Sequence, residues 1–358
     1  MKILEIGMGA NLGGIEVYFH NYYSRFSDEF HFDFTDKDGG LYFSDEYIKN
    51  GSIIYHMPDF NKHPFRYYSN LKRIIKDGKY DAVHINMLSL ANILPLFAAK
   101  AAGAKAIIHS HNAGVPSGFL RKGLHSINKI FVPLADIRLA CSELAGKWMF
   151  GSRSFTVIQN AIDLSVFNLN DEMRTEQRIK LGYCENDLVI GHVGRFAEQK
   201  NHKFIIELFK ELHLKSDRYK LLLVGDGELK NSIEDKVREY GLSGSVIFTG
   251  SVNNVQDYMQ AMDLFILPSL FEGLPVTGVE AQACGLPCIF SDAITEEVKI
   301  ADNVTFISLE DKKGWIDTIE KLIIQKRTNS TEQVASGGYT IEKSVEKFES
   351  VFKMINNK

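Results

Sequence analysis

Short apolar runs alternate with amphipathic stretches along the whole chain, and this alternation predicts parallel βα units. After a first strand at residues 1–7, strands are expected near 31–36, 52–57, 80–86, 104–110, 136–141 and 154–159. Helices are expected near 64–77, 90–102 and 122–134. A second series of strands begins at Leu188 and continues at 220–224, 246–249, 264–267, 288–291 and 304–308. Two such series predict two Rossmann-like domains.

The expected domains are residues 1–170, residues 171–340 and a C-terminal helix at 341–358. A chain of 358 residues is longer than one hydrophobic core usually supports, which favours two domains. The C-terminal helix has a single apolar stripe. Its members are Ile341, Val345, Phe348, Phe352 and Ile355.

Composition places the chain among ordinary soluble proteins, with 45% apolar and 24% charged residues. No apolar run approaches 18 residues and the N-terminus enters a strand at once, so we expect neither a spanning helix nor a signal peptide. The four cysteines form no Cys-x-x-Cys pair, which favours a reduced cytosolic protein without structural zinc. The net charge of −4 is unevenly divided: residues 1–165 have 18 basic and 15 acidic side chains, and the remainder is acidic. The first half is therefore the better candidate to face an anionic lipid or a phosphorylated acceptor.

The stretch from 264 to 292 contains the most functional information. An apolar strand ends at Pro268-Ser269, and a loop with Glu272 and Gly273 follows. Pro275 suits the first helical position, and Gly285 suits a left-handed cap at the helix end. Ligands of such sheets lie outside the carboxyl ends of the strands, where anions meet helix N-termini.

Two carboxylates mark this place. Glu280, in the second helical turn, could accept hydrogen bonds from both hydroxyls of a ribose, while Glu272 could reach a sugar beyond the phosphates. The alternative is an ordinary solvated glutamate on a helix beside an acidic loop.

Two cations follow the strand that begins at Leu188. Arg195 offers a planar fork and Lys200 a compact charge, a combination that suits a pyrophosphate. The alternative is two surface cations. The base of a nucleotide would fit beside the loop after strand 246–249, where the backbone of residues 250–252, including Ser251 and Val252, could contact it.

The first strand leads into a glycine-rich loop before a helix, an arrangement that lets backbone approach an anion. A dinucleotide fingerprint would need glycine at positions 7, 9 and 12, but position 12 is Leu. Asp36 ends the second strand where a dehydrogenase has its ribose-binding acid, which keeps that alternative open. Gly13-Gly14 could also be a tight turn that binds nothing.

His109 and His111 end the fifth strand. Two histidines in this spacing could hold a metal, but no third ligand is evident, so a hydrogen bond to substrate is the better hypothesis. Asp36-Lys37-Asp38 has the form of an Asp-x-Asp metal motif, yet Gly39-Gly40 behind it predicts a solvated turn. We expect no metal and no cofactor.

Residues 118–134 mix three cations with large apolar side chains. The cations are Arg121, Lys122 and Lys129, and the apolar residues include Phe119, Leu120, Leu124, Ile127, Ile130 and Phe131. This pattern fits a segment lying on a membrane surface. It equally fits a helix that faces the core with a solvated edge.

The block from Glu272 to Cys288 resembles the motif of the retaining family 4 glycosyltransferases of the GT-B fold. The resemblance implies that Glu272 contacts the donor sugar and Glu280 the ribose. It also implies that backbone N–H groups of the intervening residues Gly273, Leu274, Val276 and Thr277 meet the sugar and diphosphate. Many members have an aromatic-Gly pair where this chain has Leu274-Pro275, and the proline removes one of these donors.

The resemblance extends over most of the chain. It implies that Arg195 and Lys200 neutralise the leaving diphosphate, and that Gly13, Gly14 and Glu16 lie near the diphosphate and the acceptor. It further implies that His111 contacts the donor sugar, and His109 is then expected to be a packing residue. In this family the two domains face each other across a cleft, and the C-terminal helix returns to the first domain.

The implied function is that of a retaining glycosyltransferase using a nucleotide diphosphate sugar, UDP-hexose or UDP-N-acetylhexosamine, without a metal. The acceptor would be a hydroxyl of a glycan or lipid-linked molecule in surface polysaccharide synthesis, in the cytoplasm or at the inner face of the membrane. No nucleic acid is expected as a partner. The alternatives are a catalytically silent GT-B subunit of a glycosylation complex and a nucleotide-sugar epimerase.

Overall fold

The structure is a computed structural model that describes residues 1–11, 13–36, 39–112, 114 and 118–356. The chain divides into two compact units, one of Met1–Ala161 together with the chain from Ile341 onward, and one of Ile162–Thr340. The predicted first domain ended at 170, whereas the first unit ends at Ala161. Ile162 pairs with Thr340, so the two places where the chain passes between units are adjacent.

The first unit contains a seven-stranded parallel sheet in the order β3-β2-β1-β4-β5-β6-β7. Its strands are β1 (Lys2–Ile6), β2 (His31–Thr35), β3 (Ile54–Tyr55), β4 (Ala82–Met87), β5 (Lys105–Ser110), β6 (Ile137–Ala140) and β7 (Thr156–Val157). The helices between them are α1 (Gly14–Tyr23), α2 (Ser44–Lys49), α3 (Pro64–Gly78), α4 (Leu94–Ala102), α5 (Phe119–Asn128) and α6 (Glu143–Phe150), with a 3-10 segment at Lys129–Leu134. The predicted helix at 122–134 is thus two segments, the second of which contains Pro133.

The second unit contains a six-stranded parallel sheet in the order β10-β9-β8-β11-β12-β13. Its strands are β8 (Leu188–Val193), β9 (Tyr219–Val224), β10 (Val246–Phe248), β11 (Leu264–Leu267), β12 (Cys288–Ser291) and β13 (Val304–Ile307). Its helices are α7 (Asp171–Lys180), α8 (His202–Lys215), α9 (Lys230–Glu239), α10 (Val255–Ala261), α11 (Val276–Ala283), α12 (Lys312–Leu322) and α13 (Thr331–Ser336). Short 3-10 turns lie at Glu198–Lys200 and Glu296–Val298.

The last helix, α14 (Ile341–Asn356), belongs to the core of the first unit. Its predicted apolar stripe is buried there, with Phe348 and Phe352 fully buried beside aromatic residues of α1 and β2. Burying such a stripe is what stabilises an amphipathic helix in a protein. The predicted return of the C-terminal helix to the first domain is confirmed.

Helix α11 begins one residue later than predicted. Pro275 takes the N-cap position and Val276 is the first helical residue, so the expectation that Pro275 is itself helical is wrong. Gly285 has the left-handed φ of +74° expected of a residue that ends a helix. A side chain there would also clash, because an added Cβ would lie 2.5 Å from the carbonyl oxygen of Thr328.

Parallel pairing gathers the carboxyl ends of the strands at one edge of each sheet. In the first unit this edge includes the loops after β1, β4 and β5, and in the second unit the loops after β8 through β12. Every predicted site residue except Glu280, which lies inside α11, belongs to one of these loops or to the helix turn that follows it.

Three residues of the sequence patterns, Leu12, Lys37 and Asp38, lie outside the described residues. The carboxylate of Asp36 accepts a hydrogen bond from the backbone N–H of Met57 at 2.9 Å and pairs with His56. Among the described residues, no cluster of three His, Cys, Asp or Glu side chains could hold a metal ion. Over the same residues, no helix combines the length and apolarity needed to cross a bilayer.

Candidate active site

The loops after β8 and β11 meet through an ion pair. Lys200 Nζ lies 2.6 Å from Glu272 Oε1, and both side chains are largely buried. Gln199 ties the same loops together at the backbone. Its carbonyl oxygen accepts a hydrogen bond from the N–H of Leu270 at 2.8 Å, and its side-chain amide donates to the carbonyl of Phe271 at 2.8 Å. Lys200 and Glu272, predicted from separate motifs, are therefore neighbours, and hydrogen bonds of Gln199 connect the two loops that contain them.

The stem of Lys200 lies against Gly194. A Cβ at position 194 would come within 3.2 Å of Lys200 Cδ, so glycine leaves room for the lysine side chain. Two buried histidines lie close by and face each other edge to face at 4.8 Å. Burial lowers the pKa of His192 to about 3 and that of His202 to about 2, so both are neutral and add no positive charge beside Lys200.

Glu280 lies in the second turn of α11 and is 6% exposed. Burial raises the pKa of this carboxyl to about 7, while the positive charge of Lys200 acts in the opposite direction. A carboxyl group that is half protonated near neutral pH binds a diol more strongly once it is ionised, because it then accepts from both hydroxyls.

The N-terminus of α11 presents the backbone of residues 273–277 to the same edge. Val276 and Thr277 form its first turn, where N–H groups have no intrahelical partner. Leu274 is buried at 5% exposure, and Gly273 follows Glu272 in the loop. Among the described residues, the hydroxyls of Thr277 and Ser269 are buried without a hydrogen-bond partner. Unsatisfied hydroxyls beside a helix N-terminus fit a site that a polar ligand completes.

Arg195 follows the end of β8 and forms an ion pair of its own. Its side chain is 64% exposed, and its guanidinium lies 3.1 Å from Glu228 Oε2. The loops after β9 and β10 are joined where the N–H of Gly225 donates to the carbonyl of Gly250 at 3.0 Å. Ser251 and Val252, the predicted base contacts, follow Gly250, with Ser251 exposed and Val252 partly exposed. All the predicted residues of the second unit except Glu280, which lies inside α11, thus belong to one sheet edge.

In the first unit, His111 follows β5 and is partly exposed, whereas His109 is fully buried. His111 Nε2 lies 2.8 Å from Asn86 Oδ1, and its ring packs edge to face on Tyr18 at 5.0 Å. Burial lowers the pKa of His111 to about 3, so this imidazole is neutral. His109 contacts His84, whose other ring nitrogen lies 2.9 Å from Glu5.

The glycine-rich loop of the first unit leads directly into α1. Gly13 is the N-cap of this helix and Gly14 its first residue. The Glu16 carboxylate accepts a hydrogen bond from the backbone N–H of Gly9 at 2.9 Å, so it stabilises the loop from inside the first turn of the helix.

The segment 118–134 exposes the apolar residues of α5, whereas Phe131 packs on Phe97 and Val132 is buried in the 3-10 segment that follows. Phe119 is 96% exposed, Leu120 75% and Ile127 61%. Helix α5 instead buries two polar side chains, His125 and Asn128. The alternative that this helix turns its apolar face to the core is therefore wrong.

Sequence reasoning missed the residues that support these sites. Glu5, His84 and Asn86 are polar residues at alternate positions of otherwise apolar strands, and this period-two interruption could have identified them. Gln199, Ser269 and Glu228 had no such signal, because loop residues become partners only through tertiary structure.

The fold is similar to that of HepE from Anabaena in its crystal structure with UDP-glucose. The two structures superimpose with a TM-score of 0.82 over 99% of this chain and 100% of that one, at 19% sequence identity. Such identity shows the fold alone. The chain has the GT-B fold of two Rossmann-like domains.

The sequence comparisons give the family. The family model "Glycosyltransferase Family 4" matches residues 12–166 and the model "Glycosyl transferases group 1" matches residues 173–339. EpsF of Bacillus subtilis strain 168, a glycosyltransferase by name, is 32% identical over 100% of this chain and 97% of its own. The UDP-Gal:alpha-D-GlcNAc-diphosphoundecaprenol alpha-1,3-galactosyltransferase of Escherichia coli is 29% identical over 81% of this chain and 79% of its own. The protein belongs to the glycosyltransferases of the family 4 type, as the sequence predicted.

Proposed function

We propose that this protein is a retaining hexosyltransferase that moves a sugar from a UDP-sugar, a hexose or N-acetylhexosamine, to a hydroxyl of a glycan or lipid-linked acceptor in surface polysaccharide synthesis. The observation behind the proposal is the Lys200–Glu272 pair beside Glu280 at the start of α11. The cation and the helix N-terminus match the diphosphate of such a donor. The buried carboxyl of Glu280 matches its ribose, and Glu272 matches its sugar. The relatives' names favour UDP as the nucleotide and a lipid-linked sugar as the acceptor.

In the proposed reaction, the bond between the anomeric carbon and the phosphate oxygen breaks and a bond to the acceptor oxygen forms. The acceptor proton passes to an oxygen of the departing diphosphate, so no protein base is needed for a same-face reaction. Lys200, Arg195 and the α11 N-terminus stabilise the negative charge that develops on the diphosphate. The residues of this chain supply electrostatics and positioning, and the proposal includes no metal.

The roles of the remaining residues follow from this assignment. Glu280 holds the ribose, and Glu272 orients the sugar once the diphosphate has drawn Lys200 away from it. A nucleophilic role for Glu272 is the competing hypothesis. His111 is assigned to the donor sugar, with Gly13, Gly14 and Glu16 near the diphosphate and the acceptor and Ser251 and Val252 beside the base.

A panel of nucleotide sugars, with and without membrane-extracted acceptors and with EDTA throughout, tests the proposal. Acceptor-dependent release of UDP, with a product whose anomeric proton coupling matches that of the donor, would support it. Thermal stabilisation by donors without any turnover would indicate the silent subunit instead. Conversion of the donor to its epimer without an acceptor would indicate the epimerase.

We propose further that residues 118–134 contact an anionic membrane, at the inner face of the cytoplasmic membrane, where a lipid-linked acceptor would lie. Two polar side chains attach helix α5 to the backbone of Leu90. His125 Nδ1 accepts from the Leu90 N–H at 3.1 Å, and Asn128 donates to the Leu90 carbonyl at 2.7 Å. Its apolar residues remain outside beside three cations, and positions 118–134 contain no acidic residue. An exposed apolar face with a basic border suits an anionic lipid surface.

Sedimentation with vesicles of anionic and of neutral lipid tests this contact. We expect binding to anionic vesicles only, weakened about tenfold or more by Phe119→Ser with Leu120→Ser, because these side chains would enter the interface. Phe65→Ser is the matched control, since Phe65 is 89% exposed on α3 of the same unit. Equal loss in both variants, or no vesicle binding by the unaltered protein, would refute the contact.

A further inference from the structure

One face of the first sheet contains a chain of polar side chains from three adjacent strands. Glu5 pairs in register with His84, and Asn86 with His109, so these residues lie on the same side of β1, β4 and β5. His84 Nδ1 donates to the Glu5 carboxylate at 2.9 Å, and His84 Nε2 lies 3.1 Å from His109 Nδ1. All four are at most 5% exposed, in the interior of the sheet.

The amide of Asn86 can adopt one orientation only. Its nitrogen Nδ2 lies 3.1 Å from Glu5 Oε2 and 3.2 Å from the carbonyl oxygen of Ile6. A carbonyl oxygen only accepts hydrogen bonds, so the NH₂ group must be on this side. The oxygen Oδ1 is therefore on the other side, where it faces His111.

This orientation fixes the proton of His111. The distance from His111 Nε2 to Asn86 Oδ1 is 2.8 Å, and because an amide oxygen only accepts, Nε2 must bear the hydrogen. Burial, together with the neighbouring His84, keeps the ring neutral by lowering its pKa to about 3. A neutral imidazole protonated at Nε2 has a bare lone pair at Nδ1.

We infer that Asn86 is a positioning residue that holds His111 with its Nδ1 lone pair available to substrate, so that the sugar group His111 meets must donate a hydrogen bond. The inference rests on the proposed role of His111 in binding the donor sugar. A hydroxyl or an amide N–H fits this nitrogen, whereas a carboxylate, which only accepts, is repelled. Glu5 acts indirectly, because its carboxylate accepts from Asn86 Nδ2 and so holds the Asn86 amide in this orientation.

The proton position can be measured directly. Two-bond ¹H–¹⁵N correlation spectra of histidine-labelled protein distinguish the two neutral tautomers, and the His111 signals are assigned by their loss in His111→Gln. We expect the Nε2–H pattern at pH 7, unchanged on acidification to pH 5. An Nδ1–H pattern, a mixture of tautomers, or a doubly protonated ring at pH 7 would overturn the inference.

A double-mutant cycle tests whether Asn86 acts through His111. Asn86→Leu, which keeps the size but removes the acceptor, should lower kcat/KM about 10²-fold, as a misplaced site residue does. Combined with His111→Ala it should cause little further loss, whereas multiplied losses would contradict the inference. Asn86→Asp combined with Glu5→Gln keeps an oxygen facing Nε2 and a donor–acceptor contact between positions 5 and 86, so this pair should recover most of the activity and the wild-type tautomer.

The experiments distinguish failure of the proposed function from failure of the inference about Asn86 and His111. If no nucleotide sugar is turned over, the proposed function fails, while the tautomer of His111 is still measurable in the unaltered protein. If Asn86→Leu does not fold, as judged by its thermal transition, the wild-type spectrum alone decides the inference.

Discussion

The carboxyl edges of the two sheets use opposite kinds of chemistry. The second-unit edge has ion pairs, Lys200 with Glu272 and Arg195 with Glu228, and a carboxyl group with a pKa near 7. The first-unit edge has a neutral histidine held by an amide, with His109 also neutral because burial lowers its pKa. In the proposed function, the charged edge receives the diphosphate and the neutral edge orients the sugar.

The two edges also differ in what holds their side chains in place. Both predicted cations of the second unit are already paired with carboxylates, so an arriving diphosphate exchanges one anionic partner for another. The histidine of the first unit has its position set by the strands themselves, through Glu5 and Asn86. The second edge is therefore expected to respond strongly to changes of charge, and the first to changes of shape and hydrogen bonding.

The largest expected effect is that of Lys200→Ala. Removing this cation should lower kcat by about 10²–10³, the usual loss when one stabilising donor is removed from a transition state. Lys203→Ala, one helical position inside α8 and exposed, is the charge-matched control and should leave kcat unchanged. Steady-state kinetics with a saturating donor measure both. Equal kinetics in the two variants would remove Lys200 from the site.

Glu280 should produce a pH dependence in binding. The ribose hydroxyls donate to the ionised carboxylate, so affinity for UDP-glucose should be constant above pH 8 and fall by about tenfold in total as the carboxyl gains its proton through pH 7. UDP-glucose is a suitable ligand because its diphosphate is esterified at both ends and does not titrate in this range. Calorimetric titrations at a series of pH values measure the effect.

Glu280→Gln is the control for that titration. Its affinity should be about tenfold lower at pH 8 and independent of pH, because the amide accepts only one of the two hydroxyl donors well. A pH dependence that survives in the variant would assign it to another group.

Arg195 and Glu228 should shift affinity in opposite directions. Arg195→Ala should raise the donor KM about fivefold, a modest effect because the guanidinium is largely exposed. Glu228→Gln removes the competing carboxylate and should lower KM slightly. If both variants raise KM alike, the pair has a structural role in the loop and no role in binding the donor.

The smallest effect is expected for Gln199→Ala, which removes the side-chain hydrogen bond between the loops after β8 and β11. The free energy of unfolding should fall by about 1 kcal/mol for the lost hydrogen bond, and kcat should fall a few-fold as Lys200 and Glu272 lose their relative placement. Gln333→Ala is a suitable control, since it breaks a comparable bond to Asp302 in the same unit. Urea denaturation and kinetics together separate the two effects, and the control should change only stability.

The same comparison shows what sequence could predict. The second-unit motifs are local: Glu272 and Glu280 lie eight positions apart on one loop and helix, so their pattern identifies the site directly. Apolar periodicity likewise predicted the strands and the stripe of α14. In contrast, the Lys200–Glu272 contact and the brace by Gln199 join loops that are distant in sequence, and only the folded sheet brings them together.

Two expectations failed or stayed open for physical reasons. Sequence could not choose between a core-facing and an outward-facing α5, because the choice depends on whether His125 and Asn128 find backbone partners at Leu90. The position of Pro275 was one residue off, since the φ that its ring fixes, −74° here, is compatible both with a helical residue and with the extended backbone it adopts. The functional roles of the site residues stay predictions until they are tested.

The central claim is that charge at the second sheet edge receives the nucleotide diphosphate, and a crystal structure with UDP bound tests it most directly. We predict the β-phosphate within hydrogen-bond distance of Lys200 Nζ and the N-terminus of α11, the ribose hydroxyls on Glu280, and the Lys200–Glu272 pair opened. A nucleotide bound elsewhere, with that ion pair still closed at 2.6 Å, would contradict the account.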